Sequence, residues 1–325
     1  MSGDLRYVLR RLAQLLPAVA GILLITFLIV ELSPGDPVTS LAGQSGDAEY
    51  YARMRERFGL DQPLHVRLRT YVANVLRGDL GTSYIHGRPA LEVVLGRLPA
   101  TLLLAGTSLV ISSFVGVALG VAAAIRSGGL VDTAITTVSL GFYAAPVFWV
   151  GLMAMIVFSL RLDLFPVTGM SSLGASEGGL AGVLDIAHHL ALPALVLASQ
   201  EIAAIARLTR SGMIEQLRSD HVRTAVAKGA RRLRVVTHHG LRLALLPVIT
   251  IVGARVGHLL AGAIVVEFVF SWPGIGRLMV TAVGDGNTPV LLSIVLLVAV
   301  SVILANLITD LAYGWLDPRI RLRAR

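Results

Sequence analysis

Six stretches of this chain stay apolar over roughly the length of a membrane-crossing helix, which takes about 20 residues at 1.5 Å each. They run Leu12 to Leu32, Pro99 to Ile125, Val131 to Leu160, His189 to Ala206, Leu243 to Phe270 and Pro289 to Trp315. The third is long enough to tilt or to overrun the bilayer. Pro146 inside it predicts a kink whose freed backbone groups need polar neighbours. The fourth is the least pure, with Gln200 and Glu201 in its middle. The first follows Arg6, Arg10 and Arg11, and Ala18-Val19-Ala20 stands where a leader would be cut. The apolar run continues unbroken to Leu32, so it reads as an uncleaved span.

The polar segments between these stretches carry their own patterns. Ser33 to Leu98 is too long for a simple connection. It opens with Ser33-Pro34-Gly35-Asp36-Pro37, a turn that stops the first helix. Ala48 to Phe58 predicts one amphipathic helix. Pro63 to Arg77 predicts another, with Leu64, Leu68, Val72 and Val75 at helical spacing, and a turn follows over Gly78 to Ser83. The segment reads as a small helical subdomain. Arg161 to His188 is rich in Gly and Ser and carries little pattern.

The segment from Arg207 to Arg242 is the informative one. Ser219-Asp220 can start a helix over His221 to Lys228, and Gly229 stands where a left-handed residue ends one. Val222, Ala225, Val226 and Gly229 fall on one stripe of small residues, which lets another backbone approach closely. Arg223 and Lys228 lie off that stripe. Two readings stand at this level: a basic helix lying on anionic lipid, or a docking helix for a cytoplasmic partner.

Composition narrows the class. With 55% hydrophobic and 15% charged residues and a mean hydropathy of +0.75, the chain is no disordered polypeptide. Zero cysteines exclude a disulfide-stapled fold, a thiolate zinc site, an iron–sulfur cluster and a cysteine nucleophile. In a water-soluble chain a formal charge of +8 would suggest nucleic acid; in this one it reports orientation, and no nucleic acid is implied. With the N-terminus in the cytoplasm, 17 Lys and Arg fall in cytoplasmic segments and two, Arg161 and Arg277, in the short outer loops. The long outer segment is exempt from this rule. Both termini are therefore expected in the cytoplasm.

Charges inside spans are expensive and mark function by default. Glu201 and Arg255 are each expected roughly 12–14 Å from the cytoplasmic end of their helices, at 1.5 Å per residue. At matching depth the two are able to pair, and His258 lies one turn beyond Arg255. The group reads either as an ion pair that fixes helix packing or as a polar wall of a solute pathway. Glu267 is expected near the outer mouth, within reach of solvent. Adjacent histidines at His188-His189 and His238-His239 point about 100° apart on a helix, a poor arrangement for one metal ion. Trp149, Trp272 and Trp315 are expected as interface anchors.

Asp220-His221-Val222-Arg223-Thr224-Ala225-Val226-Ala227-Lys228-Gly229, continuing to Leu245-Leu246-Pro247, resembles the cytoplasmic signature loop of ABC-importer permeases. It is closest to the dipeptide/oligopeptide branch. Segments along nearly the whole chain agree: Ser33 to Pro37, Gly59-Leu60-Asp61-Gln62-Pro63-Leu64, Arg77-Gly78-Asp79-Leu80-Gly81, Arg97-Leu98-Pro99-Ala100-Thr101, Ser271-Trp272-Pro273-Gly274-Ile275-Gly276 and Leu316-Asp317-Pro318-Arg319. The general signature begins Glu-Ala-Ala where this chain has Arg223-Thr224-Ala225, and ends in a proline where it has Arg242. The peptide branch looks similar at both places.

The resemblance implies an all-α membrane protein of six transmembrane helices with the type I ABC importer permease fold. Its parts would be a tail and first span over 1–32, an extracytoplasmic helical subdomain over 33–98, and a core over 99–325 with the coupling loop at 207–242. It implies a non-catalytic subunit in a bacterial cytoplasmic membrane, pairing with a second permease. Two ATPase subunits would bind ATP and Mg, and an extracytoplasmic binding protein would deliver the solute. The chain itself would need no cofactor. It has no Gly-x-x-x-x-Gly-Lys-Ser/Thr loop to cradle phosphates. Asp220 to Gly229 would form the coupling element. Peptide is the solute the resemblance implies first, with a nickel chelate, a glutathione-like peptide or haem as alternatives. A stand-alone secondary transporter would favour internal repeats, and none is visible. A membrane-embedded enzyme would need a nucleophile–base or metal constellation, and none is visible.

Overall fold

The computed structural model describes residues 17–28, 31, 49, 53, 61–172, 174, 179–254 and 256–316. Among them the chain is helical, with no strand beyond one isolated bridge between Thr82 and Pro89. The described helices are α1 (Pro17–Leu28), α2 (Leu64–Leu76), α3 (Ala90–Leu95), α4 (Leu98–Ile125), α5 (Leu130–Ala144), α6 (Val147–Ala154), α7 (Gly179–Leu217), α8 (Asp220–Ala227), α9 (Arg232–Arg234), α10 (Arg242–Ala254), α11 (Val256–Val269), α12 (Ile275–Gly284) and α13 (Thr288–Leu316). Wider π-helical turns extend α6 over Met155–Arg161 and join α9 to α10 over Val235–Leu241. The predicted helix over Ala48 to Phe58, apart from Glu49 and Arg53, and Arg255 lie outside the described residues, as do the side chains of His258 and Trp315.

Three of these helical runs are long and apolar enough to cross a membrane: Ala90–Ile125, Gly179–Leu217 and the 288–307 part of α13. A fourth crossing is available if α5 and α6 together make one. They do not form the kinked rod expected from the sequence, because the two helices meet at 107°. The cause is local. Ala145 precedes proline, is barred from the helical region and sits at φ −74°, ψ 135°; Pro146 then opens α6. The carbonyl this frees at Ala145 accepts a hydrogen bond from Gln200 Nε2 at 2.9 Å. The polar neighbour that the proline requires is thus one of the two residues that made the fourth stretch impure.

Contacts divide the chain into two units. One holds residues 1–99 and 278–307. In it α2 shows the expected periodicity, with Leu68, Val72 and Val75 half-buried and Leu64 exposed. The turn after α2 is pinned by Asn287, whose Nδ2 donates to Ser83 Oγ at 2.8 Å. A 360 Å³ cavity opens between α1, α2, this turn and the start of α13. Glu31 and Arg67 pair at 2.7 Å on its wall, and burial pushes the Tyr84 phenol up from its ordinary value.

The other unit holds residues 100–277 and 308–325 and is organised on α7. At 1.5 Å per residue its 39 residues span about 58 Å. That is nearly twice the hydrocarbon thickness of a bilayer. α7 does not end at Ala206 as expected but runs on to Leu217, so the first eleven residues of the predicted loop continue the helix. α4 meets it along a stripe of small residues. Leu104, Ser108, Ser112, Gly116, Gly120 and Ala124 recur every fourth position and are all buried. Glycine is required at two of them. A Cβ on Gly116 would stand 2.7 Å from Ile205 Cβ, and one on Gly120 would stand 2.5 Å from Thr209 Cβ and 2.6 Å from the Ala206 carbonyl oxygen. A second core lies nearer the other end, where Leu104, Leu190, Val266, Phe270 and Trp272 pack together.

Gly120→Ala should therefore destabilise the detergent-solubilised protein by about 1–3 kcal/mol through overpacking. Gly106→Ala, at an open position on the same helix, should be neutral. Thermal unfolding of both variants checks the difference.

Candidate coupling surface and buried polar centres

Arg218 and Ser219 alone separate α7 from α8, so the short helix is set at a corner. Ser219 takes the expected first position in extended conformation, at φ −73° and ψ 156°. Its hydroxyl does not cap the helix amides. It donates to the Gln216 carbonyl at 2.5 Å and lies 2.8 Å from His221 Nδ1, which staples the corner. The far end is a Schellman motif. Gly229 adopts φ +81°, its N–H donates to the Val226 carbonyl at 2.9 Å, and the Ala230 N–H donates to the Ala225 carbonyl at 3.1 Å. The left-handed role read from the sequence is the one Gly229 has.

The stripe of small residues divides. Val222 and Ala225 are buried against α7 and the π-helical turn of their own chain, whereas Val226 is 56% exposed. Asp220, His221, Arg223, Thr224, Ala227 and Lys228 face outward. The surface free to meet a partner is thus a polar one with Val226 on its flank. Arg223 and Asp220 lie 3.6 Å apart on it, fully in solvent, where such a pair adds little. Arg231, Arg232, Leu233 and Arg234 continue the exposed surface, with Leu233 75% exposed among the three arginines.

Behind α8 lies a polar centre that sequence reasoning missed. Asp132, in the first turn of α5, is buried and receives two bonds from Arg210 on α7, from Nε at 2.5 Å and Nη2 at 2.7 Å. The Gly128 N–H donates to the same carboxylate at 2.8 Å. Farther along, the Arg207 guanidinium sits 4.6 Å from the centre of the Tyr143 ring, a cation–π geometry. One signal was available: Asp132 is the lone acid of the third apolar stretch. Arg210 carries no such signal, being one of nine Lys and Arg between Arg207 and Arg242. Glu201 is buried on α7 as its position in the span implied. No pairing of Glu201 with Arg255 is described, because Arg255 lies outside the described residues.

Two expectations at the opposite end are corrected. Glu267 is fully buried, out of reach of solvent. Its carboxylate accepts from the Thr101 hydroxyl at 2.6 Å, the Gly276 N–H at 2.6 Å and the Arg277 N–H at 3.2 Å. Thr101 Oγ1 accepts the Ile275 N–H at 2.8 Å. Together they satisfy the free amides at the start of α12, the task a local cap usually performs. The carboxylate fills the space that a side chain at Gly274 would need, and Ile264 with the carboxylate fills it at Gly276. Trp272 is no interface anchor. It is buried completely and its indole N–H donates to the Ala100 carbonyl at 2.8 Å. Trp149 is half exposed. His188 and His189 bond separately, to the Leu164 and Asp185 carbonyls.

Residues 116–322 match the model of the binding-protein-dependent transport system inner membrane component, and residues 4–105 match the model of its N-terminal part. The chain belongs to this family. Among relatives of this membrane component, the di/tripeptide transport system permease protein DppB of Pseudomonas aeruginosa is 41% identical over 334 aligned positions, covering 98% of this chain and 99% of that one. The oligopeptide transport system permease protein AppB of Bacillus subtilis is 38% identical, covering 97% and 98%. The glutathione transport system permease protein GsiC of Salmonella choleraesuis is 40% identical, covering 98% and 99%. In this membrane component the segments Arg97 to Thr101 and Ser271 to Gly276, known from sequence only as motifs, are the two halves of one hydrogen-bonded joint.

Glu267→Ala removes three accepted bonds from a dry site and should lower stability by about 3 kcal/mol, with Thr101→Val losing about half of that. Thermal unfolding of the purified variants reads both values.

Proposed function

We propose that this chain is one permease subunit of an ATP-driven importer for short peptides. α8 carries the reading: a separate helix of eight residues, ended by a Schellman motif, with a polar outer face, held at a corner on the tip of a helix too long for the bilayer. A rigid lever ending in a small exposed helix is what a transporter needs to receive motion from a subunit that hydrolyses ATP. The family description and the relatives' names support a binding-protein-dependent transport system for peptides, and the remaining parts are those such an importer would need. The partners are a second permease, two ATPase subunits carrying ATP and Mg, and an extracytoplasmic binding protein, with lipid around the spans. The chain crosses the inner membrane six times with both termini in the cytoplasm, and it performs no hydrolysis itself.

In this reading Asp220 to Gly229 form the coupling element. Its contact surface is the outward face of Asp220, Arg223, Thr224 and Ala227 with Val226 beside it, while Val222 and Ala225 hold the helix to its own chain. Closure of the ATPases moves α8, and the long helices follow as bodies. Glu201, Arg255 and His258 belong to the solute pathway or to the packing that shapes it. Identities of 41% to a di/tripeptide permease, 40% to a glutathione permease and 38% to an oligopeptide permease support a peptide as the solute.

Gentle detergent extraction of the chain from its own membrane, with mass spectrometry of what accompanies it, tests the reading. A second permease and a P-loop ATPase are expected. Recovery of the chain alone or as a homodimer overturns it. Gly229→Asp should insert normally yet take peptide uptake to background. It forces a side chain into a left-handed position and sets a second acid beside the docking face. Its own chain leaves room there, so the block acts through backbone strain and the partner.

A further inference from the structure

α5 runs antiparallel to the cytoplasmic half of α7 and is tied to it at three points. Arg210 holds Asp132 at its start, Arg207 covers the Tyr143 ring near its end, and Gln200 holds the Ala145 carbonyl at the elbow. The first tie is the strongest by chemistry. It is a bidentate, charge-assisted pair on a buried carboxylate that also closes the turn at Gly128. Arg210 lies ten residues before Asp220, on the same unbroken helix that carries the α8 corner. The opposite face of this stretch packs on α4 through Gly116 and Gly120, so α7 cannot slide freely there.

We infer that Asp132 and Arg210 are positioning residues for energy coupling: the pair makes α5 travel with α7 when α8 is moved, so that ATPase closure reaches the elbow at Ala145–Pro146. This rests on the proposed importer reading. The alternative is a pair that merely holds the helices together. The two differ in what they predict. A structural pair affects assembly and yield. A coupling pair affects how much solute moves per ATP hydrolysed.

The test uses the complete complex, reconstituted in vesicles with its binding protein. Three quantities are read: co-purification of the ATPases, ATP hydrolysis driven by loaded binding protein, and peptide taken up. Asp132→Asn and Arg210→Lys should each assemble as the parent does and still hydrolyse ATP. Uptake per ATP should fall about fivefold or more, the scale of a coupling free energy near 1 kcal/mol. A third variant covers failure of these two to fold. Asp132→Cys combined with Arg210→Cys, in a chain that has no cysteine of its own, is joined by a short bifunctional thiol reagent. The covalent tie should return uptake per ATP to within about twofold of the parent, and the unjoined form should stay uncoupled. An unchanged ratio in the single variants overturns the inference. So does a joined pair that stays uncoupled, since the two helices would then have to separate during the cycle. Failure of the parent complex to retain an ATPase would instead overturn the importer reading itself.

Discussion

Lipid tails are as apolar as leucine, so helices in a bilayer gain little by hiding apolar surface from one another. What holds them is close backbone approach and paired polar groups. The unit built on α7 depends on that constraint throughout. α4 comes near enough to touch because Gly116 and Gly120 present no side chain to Ile205 and Thr209. α5 is held by Arg210 on Asp132, and the elbow by Gln200 on Ala145. From Ala203 to Met213 the side of α7 turned toward its neighbours is closed, with Ile205, Thr209 and Met213 fully buried. A helix fixed in this way behaves as a rod, and a rod transmits displacement from one end to the other.

The two ends of the unit use the same chemistry for different ends. At the α8 end a polar centre ties neighbouring helices to the rod. At the other end, Glu267 and Thr101 cap α12 and leave no amide of that turn unsatisfied. Both are carboxylates buried among donors, and in each the donors outnumber the charges. A buried carboxylate without such donors would lose far more in desolvation than it gains. The sequence places each near apolar residues, and the fold supplies the donors from distant positions.

That distance sets how much could be read beforehand. The spans on α4, α7 and α13, the helix after Pro63 and the short helix ended by Gly229 follow from local pattern: apolar length, periodicity and a left-handed stop. The family resemblance rested on short motifs and pointed to the right class of protein. Local pattern could not show which way a stripe faces. Val222 and Ala225 look like a docking surface until the chain folds back on them. It could show a break at Pro146 but not the 107° between the two helices, nor that Gln200, 55 residues later, would satisfy the Ala145 carbonyl. Glu267 and Trp272 were misplaced for the same reason. Their partners, Thr101 and Ala100, stand more than 160 residues earlier in the chain.

That separation has a consequence for how the protein is made. Synthesis runs from the N-terminus, and earlier segments settle before later ones emerge. Thr101 and Ala100 are made more than 160 residues before Glu267 and Trp272, so their half of the joint lacks its partners until the later segment emerges. Only when the turn over Ser271 to Gly276 arrives can the second apolar stretch and the fifth be fastened to each other. The joint therefore closes only late in synthesis. A chain truncated before Glu267 has every earlier apolar segment in place, yet lacks the group that closes them. Such a chain leaves the Thr101 hydroxyl without the acceptor it has in the finished protein.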